Sequence, residues 1–124
     1  MDLLLQFGLI ELAIGALLGW AMVLRSEKPD WLKRAGVVQP HRILQVHLDF
    51  LMMGLILIAV GLVVPDPPGL LQAMLVFGTV VNPSLFIPLA FNPAAEKQLW
   101  YRGLATISFI AVSGGLVWAA ILGP

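Results

Sequence analysis

The residues able to do chemistry in this chain are few, and they lie inside apolar sequence. HLDFLMMG, residues His47 to Gly54, holds a histidine and an aspartate two positions apart. FGTVVNPS holds Thr79 and Asn82, LIELAIG holds Glu11, and the last apolar run holds Ser108 and Ser113. An imidazole can ligate a metal or move a proton, and a carboxylate can exchange a proton with a reacting group. Threonine and asparagine can hydrogen-bond a substrate oxygen. The sequence has no cysteine, which removes disulfides and thiolate metal sites from consideration.

Composition sets the elements that must position these groups. Of 124 residues, 60% are hydrophobic and only 11% charged, well outside the range of soluble domains. Apolar runs at 3–24, 43–64, 70–91 and 103–122 each approach the ~20 residues needed to cross ~30 Å of hydrocarbon. The expected fold class is therefore an all-α membrane protein, a four-transmembrane-helix bundle forming a single domain over residues 1–124. The connections RSEKPDWLKRAGVVQPHR, PDPPG and NPAAEKQLWYR carry the proline and glycine of helix ends. The opening MDLLLQFGLIELAIG has no basic leader or small-residue cleavage site and reads as a retained first helix.

The basic residues Arg25, Lys28, Lys33, Arg34, Arg42, Lys97 and Arg102 all fall on or beside the first and third connections. The positive-inside rule then predicts that these connections are cytoplasmic and both termini outside, in what reads as a bacterial inner membrane. Topology accounts for the positive charge, so no nucleic-acid partner is expected; membrane lipid is the surrounding partner. Trp20, Trp31, Trp100, Tyr101 and Trp118 fall near span ends and are expected at the headgroup level.

At about 1.5 Å per residue, His47 and Asp49 lie roughly 8 to 12 Å inside the cytoplasmic boundary. Asn82 falls at a similar depth, Thr79 and Glu11 slightly deeper, and Ser108 and Ser113 bracket the layer. Polar groups at such depth usually face a bundle interior or a cavity, which makes them functional candidates. Structural alternatives stand beside that reading. Asp49 could pair with Arg42 and Gln45 on one helix face, Glu11 could be a hydrogen-bonded packing residue, and His47 could be an interior histidine. His41, beside Pro40, is expected at the interface.

Pro83 and Pro88 cannot donate to the carbonyls of Thr79 and Ser84, so the third span is expected to kink. Gly15 and Gly19 form a GxxxG pair on the stripe of Glu11, and His47, Gly54 and Gly61 recur every seven residues; such stripes admit another backbone or a flat ligand. His47 and Asp49 are about 200° apart on a helix, so they cannot both face one small site in one bundle. One is expected to face another copy, which predicts a homo-oligomer.

HLDFLMMGLILIAVGLVVP has an acidic residue two positions after its histidine, a glycine at the seventh and a proline at the eighteenth. It resembles the small membrane enzymes hydroxylaminobenzene mutase and styrene oxide isomerase. GTVVN, Gly78 to Asn82, and Pro88-Leu89-Ala90 resemble the third helix of the mutase, so the likeness covers the second and third helices and the four-span plan. It implies a homo-oligomeric bundle that rearranges a small lipophilic oxygenated substrate, an epoxide or an arylhydroxylamine. It further implies that His47 is the axial ligand of a b-type haem whose ferric iron acts as a Lewis acid. Gly54 would lie with the cofactor, and Asp49, Thr79 and Asn82 would shape or polarise the site. The chain departs from these relatives at Met53, where they have asparagine, and at Phe86, where the isomerase has tyrosine. PDPPG also lacks the basic charge of the isomerase's second connection. The competing expectation is a non-enzymatic membrane protein, either a haem electron-transfer unit or a small structural subunit. A proton or ion pathway through Glu11 and Asp49 is a third.

Overall fold

The computed structural model describes residues 3–124. Helix α1 (Leu3–Glu27) is followed by a short α2 (Pro29–Arg34), then α3 (His41–Val63), α4 (Gly69–Ser84), α5 (Phe86–Phe91), a 3-10 turn (Pro93–Lys97) and α6 (Leu99–Leu122). Four stretches, Leu3–Glu27, His41–Val63, Gly69–Phe91 and Leu99–Leu122, are long and apolar enough to cross a membrane. The chain is an all-helical integral membrane protein, and the four expected spans are present with ends displaced by only a few residues.

Two antiparallel helix pairs make the bundle. Helix α1 runs along α3, α4 runs along α6, and α3 joins the pairs by packing on α4 and α5. The buried positions of α1 are Leu4, Gly8, Glu11 and Gly15, alternating by four and three as a left-handed helix pair requires. Without a hydrophobic force between helices in lipid, close backbone approach must supply the packing. Gly8 and Gly54 provide it between α1 and α3: a Cβ on Gly54 would stand 2.8 Å from the carbonyl oxygen of Gly8. Gly78 and Gly115 do the same between α4 and α6, where a Gly78 Cβ would stand 2.8 Å from the Ser108 carbonyl oxygen. At one end Leu4, Leu57, Leu71, Leu75 and Ala119 close a fully apolar core.

The third span is interrupted near its prolines at a single residue, Leu85, which keeps helical dihedrals (φ −68°, ψ −19°). Helix α4 gives way to α5 there, with the Leu85 amide still donating to the Val81 carbonyl at 3.0 Å. The Ser84 hydroxyl donates to the Val80 carbonyl at 2.7 Å. The Tyr101 hydroxyl donates to the Leu85 carbonyl at 2.9 Å, so the break is pinned by α6. Tyr101 is thus buried, and Trp118 packs on the apolar core, whereas Trp20, Trp31 and Trp100 are exposed as expected of interfacial rings. Tyr101→Phe keeps the ring and removes only this bond. It should lower stability by about 1 kcal/mol, the usual value of one neutral hydrogen bond, as read by unfolding in mixed detergent micelles.

The first connection also contains α2, which the apolar pattern does not announce. Pro29 occupies its first turn, and Gly36, at φ 95°, ends it. The amide of Gly36 bonds to Lys33 and that of Val37 to Leu32, the paired closure that a left-handed residue after a helix permits. The amides of Val38 and Gln39 then both donate to the Ala90 carbonyl, strapping this connection to the end of α5.

Candidate functional site

The polar layer inferred from depth is real, but it is divided. On the interior side, the Thr79 hydroxyl donates to Glu11 Oε2 at 2.9 Å, joining α4 to α1 across 68 residues of chain. One helical turn along α4, Asn82 Oδ1 accepts from the Ser108 hydroxyl at 2.6 Å, joining α4 to α6. Glu11, Thr79 and Ser108 are each at most 1% exposed. The second carboxyl oxygen of Glu11, Oε1, is buried without a hydrogen-bond partner. Pro83 directly follows Asn82 and cannot donate to the Thr79 carbonyl, so the segment whose backbone bonding proline weakens is held to both neighbouring helices by side chains.

This pairing yields a direct test. Thr79→Val keeps shape but strands the carboxyl, and should cost about 1 to 3 kcal/mol. In a Glu11→Leu background the same substitution should cost about 1 kcal/mol or less, a non-additivity that a double-mutant cycle measures. Additive effects would mean that the two side chains do not act together.

His47 is elsewhere. It leaves α3 toward α1, where its Nδ1 lies 2.5 Å from the Gly15 carbonyl oxygen. A Cβ on Gly19 would stand 3.4 Å from His47 Cε1, so the GxxxG pair of α1 provides the seat for the ring. A carbonyl oxygen only accepts, so Nδ1 carries the hydrogen and the neutral ring keeps its lone pair on Nε2. This is the arrangement in which a metal-binding histidine is usually held, with the remote nitrogen donating to a carbonyl.

Asp49, two residues on, emerges on the other side of α3. With Gln45, Leu48, Met52 and Phe86 it lines a shallow groove of about 200 Å³ between α3 and α5. It is half-buried and lies within electrostatic reach of Glu11. The expected Arg42–Gln45 contact forms at 3.0 Å, but the expected pairing of Arg42 with Asp49 does not. Arg42 instead turns toward the membrane boundary and meets Glu96 at 3.6 Å. A long cationic side chain near a helix end gains by reaching toward water, whereas Asp49 lies two turns deeper. His41 is exposed at the helix entrance. Ser113 is exposed and bonds back to the Phe109 carbonyl, so it does not join the layer.

No protein-family model, no characterised protein and no solved structure matches this chain. Site assignment therefore rests on geometry. Among the described residues no group of three or more histidine, cysteine, aspartate or glutamate side chains could hold a metal ion. A bare ion would need such a group. A haem brings four nitrogen ligands of its own, so one oriented imidazole meets the protein's share of its coordination. At His47 the structure presents one imidazole donor, too few for a bare ion.

Gly54 belongs to the crossing of α3 with α1. Its open side is filled by α1, with Gly8 and Leu12 within 3.0 Å of where a Cβ would stand. Thr79 and Asn82 are likewise engaged with Glu11 and Ser108, so within one chain His47, Asp49 and the α4 pair occupy three separate places. The Glu11–Thr79 and Asn82–Ser108 couplings could have been approached from shared depth. Their partners could not, because depth does not say which helix faces meet.

Proposed function

We propose that this protein is a homo-oligomeric, b-type-haem-binding isomerase or mutase of a bacterial inner membrane. Its substrate class is a small lipophilic epoxide or arylhydroxylamine, and the first and third connections face the cytoplasm. The observation that carries the reading is the His47 ring, held by Nδ1 on the Gly15 carbonyl so that Nε2 is the nitrogen left to a ligand. His47 would hold the haem through Nε2. When bound, such a haem would supply Lewis acidity toward a substrate oxygen without net electron transfer.

The remaining work falls to the chain. Asp49, half-buried beside Phe86 and Met52, can hold or accept a proton at its carboxyl oxygens in surroundings that limit water. Thr79 and Asn82 are positioning residues, fixing α4 against α1 and α6 through their bonds to Glu11 and Ser108. Because His47 and Asp49 leave α3 on different sides, a site using both requires two copies, the His47 side of one meeting the Asp49 groove of the next. Such head-to-tail contacts close into a ring when the rotation permits.

A second reading has its own support. The separation of His47 from Asp49, Thr79 and Asn82 within one chain suits a haem electron-transfer unit or a structural subunit as well as an enzyme. The purified oligomer, expressed with ample haem, separates them. Turnover of an aryl epoxide or an arylhydroxylamine by a five-coordinate ferric form supports the isomerase. A six-coordinate, low-spin spectrum without turnover supports electron transfer, and absence of both haem and turnover leaves the structural role.

A further inference from the structure

A concavity lies away from His47, at the end of the bundle where the basic residues gather. It has a volume of about 520 Å³ and is lined by Glu96, Lys97, Tyr101, Arg102, Ala105 and Thr106, from the 3-10 turn and the first two turns of α6. Its polar groups are unequal. The Tyr101 hydroxyl is committed to the Leu85 carbonyl and the Thr106 hydroxyl to the Arg102 carbonyl. Glu96 is matched by Arg42. Lys97 and Arg102 line the same groove, and neither has an ion pair among the described residues. The groove is therefore a place with two uncommitted cations and one carboxylate already answered.

What lies next to it decides the occupant. Arg102 and Thr106 share a face of α6 with Phe109 and Ile110 one turn further into the membrane, and those two side chains are exposed to their surroundings. Leu99 and Trp100, which precede Tyr101 on α6, are also exposed. Cations at the boundary followed along the same helix by an open apolar track match an anion with hydrocarbon attached to it. A soluble anion would use the first feature and have no use for the second. Basic pockets at the ends of membrane helices hold acidic headgroups for the same reason, since charge attraction there is added to burial of the chains.

We propose that the groove of Lys97 and Arg102 is a binding site for the phosphate headgroup of an anionic phospholipid, whose acyl chain lies along Phe109 and Ile110. The site is independent of the haem reading. It ties the break between α4 and α5 to the surrounding lipid, because Tyr101, which lines the groove, also pins that break.

Native mass spectrometry of the full-length protein in detergent tests the proposal with phosphatidylglycerol and phosphatidylcholine of identical acyl chains. Wild type should retain phosphatidylglycerol well above phosphatidylcholine. Lys97→Gln and Arg102→Gln should each weaken that retention roughly five-fold, the effect expected of one basic residue near an anionic surface. The double variant should bring it to the phosphatidylcholine level. Both side chains are exposed, so folding is not at issue, and Lys28→Gln/Lys33→Gln, of equal charge change, should leave retention intact. Equal retention of the two lipids, or equal loss in the Lys28/Lys33 control, would overturn the site. Binding of inorganic phosphate alone, at the same stoichiometry and abolished by the same double variant, would replace the lipid with a soluble anion and also overturn it.

Discussion

Gly54→Ala should destabilise the protein by about 3 kcal/mol, near the upper end for overpacking, even without any cofactor. The added Cβ would stand 2.8 Å from the Gly8 carbonyl oxygen and 3.0 Å from both the Leu12 amide nitrogen and its Cγ. Two of those neighbours are backbone, so relief requires α1 and α3 to separate. Exchanging glycine for alanine inside a helix gains only ~0.5–1 kcal/mol, too little to offset that separation. The glycine series should be graded. Gly19→Ala meets only the His47 ring, at 3.4 Å, and should be mild in stability while disturbing the histidine's seat. Gly103→Ala meets nothing within 4 Å and should be neutral or slightly stabilising. Reversible unfolding in mixed micelles reads all three. Equal effects at Gly54 and Gly103 would mean that the α1–α3 crossing is not as close as described.

The second large effect concerns the proposed site between copies. His47→Ala should remove all turnover, and Asp49→Asn should reduce it on the order of 10²-fold, as loss of one charge-stabilising group in a water-poor site does. Copies of the two variants assembled together should recover activity. In a head-to-tail ring each site takes His47 from one copy and Asp49 from the next. A random equal mixture has both intact at ½ × ½, or roughly a quarter, of its interfaces. Activity in the co-expressed, co-purified mixture measures this against each variant alone. A mixture as inactive as its components would place both residues' contributions within a single copy, or remove Asp49 from the reaction.

How far the sequence carried the reading depends on range. Span positions follow from local composition, and the helices differ from the apolar runs by only a few residues. The polar layer followed from counting residues along each span, and Glu11, Thr79, Asn82 and Ser108 do meet there. Partner choice was not legible, because it depends on helix rotation. Arg42 had Asp49 seven residues away on its own helix, yet it meets Glu96 of the third connection. Tyr101 had the position of an interfacial ring and proves to be a buried clamp on the broken third span. Helix α2 was signalled by Pro29 and Gly36, but an argument built on apolar runs passes over six residues of which half are charged. Gly54 shows the ambiguity of small residues: a stripe permits a flat ligand or a helix, and α1 fills it.

The decisive measurement is the optical absorption spectrum of the detergent-purified protein after expression with ample haem, for wild type and His47→Ala. Wild type should show the intense absorption band of a bound haem. His47→Ala should lose it and regain it on addition of free imidazole, which can replace the missing ligand in the space the side chain leaves against Gly15 and Gly19. No haem band in wild type, or an unchanged band in His47→Ala, would contradict the assignment of His47 as the axial ligand.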